Sequence, residues 1–221
     1  MVRGKHSKYS YNTLSSHMIQ SDTTDYTTYG QRYGTWDQYF GNNHPIVVEL
    51  GCGKGEHSLY GAQHYQNINR IGVDIKGDRL AYGSRIADQQ NLANIVFLRL
   101  DIRNLHLWFA PGQVAEILLP YPDPRPHDRD AKRRLTHPRF LHMYQTMLSP
   151  GGYCKCKTDD HNLYRYTYDM VTQMHGLIVP DHKVGLLPDF DTIASQFSIT
   201  KGASRCLVWQ FDTHFIPNKS D

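Results

Sequence analysis

Seven residues, Glu49-Leu50-Gly51-Cys52-Gly53-Lys54-Gly55, constrain the fold of this chain more than any other stretch. They follow an apolar run, Ile46–Leu50, that reads as a buried strand, and they precede Glu56–Tyr65, which reads as a helix. Glycines at alternate positions permit a tight strand-to-helix turn and let a ligand approach the backbone. Such a turn belongs at the carboxyl end of a strand, where ligands collect in open α/β sheets.

The strand–helix alternation continues along the chain. Arg70–Ile75, Ile95–Leu100, Val114–Leu119 and Tyr153–Thr158 read as strands, and Arg205–Phe211 as a late one. Gly77–Gln90, Pro138–Leu148 and Asn162–Met174 read as helices, the second opening on a well-placed proline. Pro150-Gly151-Gly152 supplies the turn into the fifth strand. The alternation predicts an α/β, doubly wound sheet over residues 45–221, with a substrate-side insertion at 180–204. Residues 1–44, rich in Ser, Thr, Tyr, Gly and Asn, read as an N-terminal arm or lid, with a short helix or turn at Thr35–Phe40.

A chain of 221 residues supports one substantial core. With 24 basic and 21 acidic residues the formal charge is +3, a weak bias toward anionic partners. No apolar run approaches the roughly 20 residues that span a bilayer, and Met1–Ser10 has no signal-peptide core. No membrane association and a cytoplasmic location are therefore expected. Cys52, Cys154, Cys156 and Cys206 have the wrong spacing for a zinc site and are read as reduced thiols; no metal is expected. Monomer and homodimer both stay open.

Three acids follow three successive strands or sit at their ends. Glu49 is placed to receive the amino group of a cofactor, Asp74 to take both ribose hydroxyls, and Asp101 to meet an adenine amino group. Gly51, Gly53 and Gly55 would leave room for the ligand, and Lys54 could bind its carboxylate. A nicotinamide site would reuse the glycines and Asp74. Glu49 before the turn and Asp101 after the third strand favour S-adenosylmethionine instead. Helix capping or plain solvation is the bland alternative for each acid.

The fourth strand runs into Pro120-Tyr121-Pro122-Asp123-Pro124-Arg125-Pro126, a loop stiffened by proline, which holds Asp123 at the expected ligand edge. The basic stretch from His127 to Arg134 follows. Its Arg129 and Arg133 are the preferred phosphate contacts, and Arg134 is read as a packing or acid-pairing residue.

Taken together, these motifs resemble the TrmB-like family of tRNA (guanine-N7)-methyltransferases over residues 36–175. Glu49 to Gly55, Asp74, Asp101, Pro122-Asp123-Pro124, the basic stretch and Lys157-Thr158-Asp159 carry the resemblance. It implies a Rossmann-like class I S-adenosylmethionine-dependent methyltransferase that transfers methyl to guanine N7 in the variable region of tRNA. It also implies catalytic roles for Asp123 and Asp159 and substrate contacts by Arg133 and Thr192; Tyr121, a ring that could stack on the acceptor base, and Arg129, on the exposed part of the loop, are the further substrate-binding candidates. The chain departs from the family at Arg125, where a Trp is usual, at Pro120-Tyr121, where Asn-Phe is usual, in its N-terminal arm, which lacks the family's Arg-rich segment, and at Ser195, where Thr192-Ile193-Ala194-Ser195 meets the family's Thr-x-x-Glu. Asp189 and Asp191 are candidate substitutes for that missing acid. Because of these departures a small-molecule N-methyltransferase and a noncatalytic RNA-binding protein are retained as alternatives.

Overall fold

A computed structural model describes residues 12–21, 27–179, 185–186 and 204–211. The strands are β1 (Met18–Gln20), β2 (Ile46–Leu50), β3 (Asn69–Asp74), β4 (Ile95–Arg99), β5 (Val114–Pro120), β6 (Leu148–Thr158), β7 (Gly176–Val179) and β8 (Arg205–Phe211). The helices are α1 (Trp36–Phe40), α2 (Glu56–His64), α3 (Gly77–Gln90), α4 (Pro138–Met147) and α5 (His161–Gln173), with 3-10 turns at Ile102–Leu107 and Asp128–Arg133.

These eight strands form one sheet in the order β1-β4-β3-β2-β5-β6-β8-β7. β8 runs antiparallel to both its neighbours, while every other recorded pairing is parallel. The order reverses direction at β2, because β3 and β5 lie on its two sides. That switch point opens a crevice at the carboxyl end of β2, with the glycine turn as its floor.

The two faces of the sheet are packed differently. On one, Val48, Leu50, Ile71, Val73, Ile117, Leu119 and Trp209 pack with Phe140, Leu141 and Tyr144 of α4 and Val171 of α5. Trp36 of α1 joins this cluster, stacking on Phe109 at 5.5 Å and donating from Nε1 to the Trp108 carbonyl at 2.9 Å. On the other face, Phe97 packs with Leu59 and Ala62 of α2 and Leu80 and Ala87 of α3. A Cβ on Gly55, Gly72 or Gly83 would lie under 3 Å from the Phe97 ring, so these three glycines form its seat. Gly83, which weakens a helix by about 1 kcal/mol relative to Ala, is kept in α3 by that contact.

The same face carries charge. Val47 stands opposite Arg70 on β3 and Glu116 on β5, and Leu118 opposite Lys155 on β6. Lys155 Nζ lies 2.8 Å from Glu116 Oε1, and both side chains are fully buried. The Leu186 N–H donates to Glu116 Oε2 at 2.6 Å, bringing the described part of the 180–204 stretch onto the sheet.

Two strands had not been anticipated. β1 lies within the stretch read as an irregular arm, yet it pairs with β4 through Met18↔Phe97 and Gln20↔Arg99. β7 follows α5 after a tight reversal at His175, whose φ is 57°. Most of 180–204 and the first eleven residues lie outside the described region.

Candidate active site

A cleft of about 630 Å³ opens at the carboxyl ends of β2, β3, β5 and β6. Its floor is the turn after β2. Gly51 and Gly53 have φ of 71° and 59°, and a Cβ on either would meet nothing within 4 Å. The positive φ selects glycine, and the open space above the backbone is ligand volume. Gly55 differs. It does not border the cleft, and the expected cofactor contact gives way to packing on Phe97 at the start of α2.

Glu49 lines this floor although it is only 2% exposed. Burial pushes its pKa up to about 7, against the opposing effect of a short hydrogen bond from Ser58 Oγ on α2. His57 Nδ1 lies 3.8 Å from Glu49 Oε1. Burial, reinforced by the nearby Lys157 cation, lowers the His57 pKa to about 3, so the contact joins a neutral imidazole to the acid and is no ion pair.

Asp74 ends β3 and faces the same cleft. Its Oδ2 accepts from Gly53 N–H and its Oδ1 from Lys76 N–H, both at 2.9 Å. A carboxylate offers about four acceptor sites, so capacity remains for a pair of ligand hydroxyls. Asp101 borders an adjoining compartment of about 490 Å³ whose walls include Leu100, Ile102, Leu135 and Phe140. Burial raises its pKa, but bonds from Arg103 outweigh that and hold it below the usual carboxylate value. These bonds run from Arg103 Nε at 3.0 Å and Nη2 at 2.5 Å, so Asp101 is held in place by a half-exposed guanidinium.

The opposite wall is the proline loop. Tyr121 and Arg125 both take left-handed backbone, with φ of 50° and 45°. Each non-glycine residue held there costs on the order of 1–3 kcal/mol and persists only when its surroundings enforce it. Tyr121 N–H donates to the Lys157 carbonyl at 2.7 Å, and at Arg125 the enforcement comes from Arg134. Its guanidinium donates to the Pro124 carbonyl at 3.2 Å and to the Arg125 carbonyl at 3.2 and 3.0 Å, and it lies 4.3 Å from the Tyr166 ring centroid on α5. Of the two roles read for Arg134, packing is the one realised.

Asp123 protrudes from this loop into the cleft, and Asp159 faces it from the end of β6. Tyr121 borders the cleft too; its hydroxyl is buried without a hydrogen-bond partner, and Lys157 Nζ sits 5.6 Å from its ring centroid. Arg133 reaches the rim, 3.3 Å from Asp130. Arg129 does not border the cleft: it is 83% exposed on the outer side of its 3-10 turn, 4.0 Å from Asp130. Thr192, Ser195, Asp189 and Asp191 lie outside the described residues.

Arg79 and Asp160 line the cleft without having been picked out in the sequence, and Arg125, noted there only as a departure from the family, lines it too. Asp160 caps α5 by accepting from Leu163 N–H at 2.7 Å. Its position right after Thr158-Asp159 and just before an amphipathic run was a readable capping signal. Ser58 and His57 carried none, since their effect arises only from burial beside Glu49.

This sheet order, with a glycine floor, acids at or just after the ends of β2, β3 and β4 and a side compartment walled in part by Leu100, Ile102, Leu135 and Phe140, defines a class I S-adenosylmethionine-dependent methyltransferase. The residues fit the cofactor: the buried acid Glu49, the two carboxylate oxygens of Asp74 and open volume over Gly51 and Gly53 stand in one cleft. A family profile described as "Putative methyltransferase" matches residues 43–184. The chain is 35% identical over 172 residues to a tRNA (guanine-N(7)-)-methyltransferase of Cytophaga hutchinsonii, covering 78% of this chain and 76% of that one. It is 42% identical over 152 residues to the protein of the same name from Porphyromonas gingivalis, covering 68% and 60%. The fold is similar to that of a 30S ribosomal A1408 methyltransferase from an uncultured bacterium, with TM-score 0.58 at 15% identity over 81% of this chain and 93% of that one. This chain belongs to the tRNA (guanine-N7)-methyltransferase family.

Proposed function

We propose that this chain methylates N7 of a guanine in tRNA, in the variable region. The observation that carries the reading is that Asp123 and Asp159 border the same cleft as Glu49, Gly51 and Asp74, so acceptor and donor groups share one chamber. When bound, S-adenosylmethionine supplies an electrophilic methyl carbon. Glu49 would hold its amino group, Asp74 its ribose, and the Asp101 compartment its adenine.

Guanine N7 already carries an in-plane lone pair, so the residues need align the base without removing a proton from N7. Asp123 and Asp159 accept from N1–H and the exocyclic amine, leaving N7 to face the methyl group. Their charge also stabilises the cation that N7 methylation creates. Tyr121 offers a ring for stacking on an unpaired base. Arg133 and the exposed Arg129 contact backbone phosphate from the rim and beyond it.

The test is methyl transfer from labelled cofactor to an unmodified tRNA transcript, followed by product mapping. Label should appear as 7-methylguanine, and Asp123→Ala should lose it. Label confined to a low-molecular-weight fraction would refute the RNA substrate, and cofactor binding with no transfer at all would refute catalysis.

A further inference from the structure

Charged residues that line the cleft do not balance. Glu49, Glu56, Asp74, Asp123, Asp159 and Asp160 stand against Lys54, Arg79, Arg125 and Arg133. Such a chamber favours a cationic methyl donor and a cationic product, but it repels the phosphates on either side of any nucleotide in RNA. A cation inside the chamber must meet that charge.

Arg125 has this position. It borders both the main cleft and the side compartment, so it stands where the two join. Its Nε lies 3.1 Å from Asp123 Oδ2, and its backbone N–H donates to Asp123 Oδ1, also at 3.1 Å. Both oxygens of Asp123 therefore face Arg125. The left-handed backbone at Arg125, clamped through its carbonyl by Arg134, turns the side chain back onto the acid two residues earlier. With 41% of its side chain exposed, the guanidinium can move off without uncovering a buried charge.

Building on the function proposed above, we infer that Arg125 makes the cleft sense phosphate. In the unliganded chain its guanidinium covers the carboxylate that the acceptor base requires. The phosphate of an incoming nucleotide draws the guanidinium away, and Asp123 becomes free to accept from the base. A guanine joined to phosphate is thereby selected over the bare nucleoside, with Arg125 serving as a specificity residue.

The experiment titrates the protein, loaded with S-adenosylhomocysteine, against guanosine, guanosine monophosphates and unmodified tRNA over a series of salt concentrations. Arg125→Asn is the main variant because asparagine accepts left-handed backbone; Arg125→Lys retains the charge, and melting of each unliganded protein reports its fold. Arg125→Asn should weaken tRNA and monophosphate binding by about tenfold, the loss of one charge-assisted contact. It should leave guanosine binding equal or tighter, and it should reduce the salt slope for tRNA by about 0.7 to 0.9. Arg125→Lys should keep most of that slope. Equal losses for guanosine and its monophosphates, or an unchanged slope, would overturn the inference while tRNA methylation by the unaltered protein stood. Failure of the unaltered protein to bind tRNA would overturn both.

Discussion

Glu49 and His57 are two ionisable groups buried in contact, and their effects on stability oppose each other. The folded chain holds the Glu49 proton up to about pH 7, whereas an unfolded one releases it near 4.5. Stability from this site therefore falls as pH rises from about 4.5 to 7, by on the order of 3 kcal/mol. His57 is neutral in the fold down to about pH 3, while its unfolded counterpart gains a proton near 6.5. Its contribution rises with pH between those values, so the two slopes cancel from about 4.5 to 6.5. Denaturant titrations across this range should show a flat profile for the unaltered chain. His57→Phe should unmask a decline with rising pH, and Glu49→Gln a rise. Cofactor affinity isolates Glu49, since an ammonium group binds the ionised acid. Calorimetry should find affinity growing about tenfold per pH unit below 7 and levelling above it, with Glu49→Gln flat throughout.

At the scale of elements, the strained loop between β5 and α4 depends on one side chain outside the reacting centre. Arg134 satisfies two carbonyls with one planar fork, which a lysine point charge cannot reproduce. Arg134→Lys should lower kcat by about tenfold or more, the worth of a hydrogen bond to a charged group at about 1.5–3 kcal/mol. Cofactor affinity, measured in parallel, should stay close to its original value, because the groups proposed to hold the donor lie on other strands. Edge strand β1 has its own fastening: Asp88 on α3 accepts from Ser15 Oγ at 2.7 Å and pairs with His17 at 2.5 Å. Asp88→Ala should raise amide exchange at Phe97, whose N–H donates to the His17 carbonyl, before it affects the central strands.

Across the whole molecule, β2 to β5 and β8 and the helices between them were legible because hydrophobic runs and glycine turns agree there, whereas β6 was legible only from Tyr153 on, since Pro150-Gly151-Gly152 reads as a turn yet lies within Leu148–Thr158. β1 was not, because three residues on a sheet edge carry too little periodicity to register. Within the site, the glycine turn pointed to Glu49, a strand end to Asp74 and the proline loop to Asp123, and all three border the cleft. Gly55 packs on Phe97 and does not border the cleft, because a steric need for glycine and a ligand's need look identical in sequence, and the turn at 128–133 decides that Arg133 reaches the rim while Arg129 stays outside it. Nor could sequence disclose that Glu116 and Lys155 neutralise each other inside the sheet. Lys155→Met would strand the buried acid and should cost about 3–5 kcal/mol in urea unfolding. Adding Glu116→Gln to that variant should recover part of the loss.

The placement of β8 between β6 and β7 also bears on synthesis. As the nascent chain leaves the ribosome, every strand with a proposed ligand contact emerges early, and β7 emerges before β8, with which it pairs. Until Arg205–Phe211 arrives, the outer edge of β6 offers an open row of backbone donors and acceptors, a ready template for another chain. A translation product stopped before Arg205 should accordingly self-associate on a sizing column, even though its glycine turn and acids have already been made.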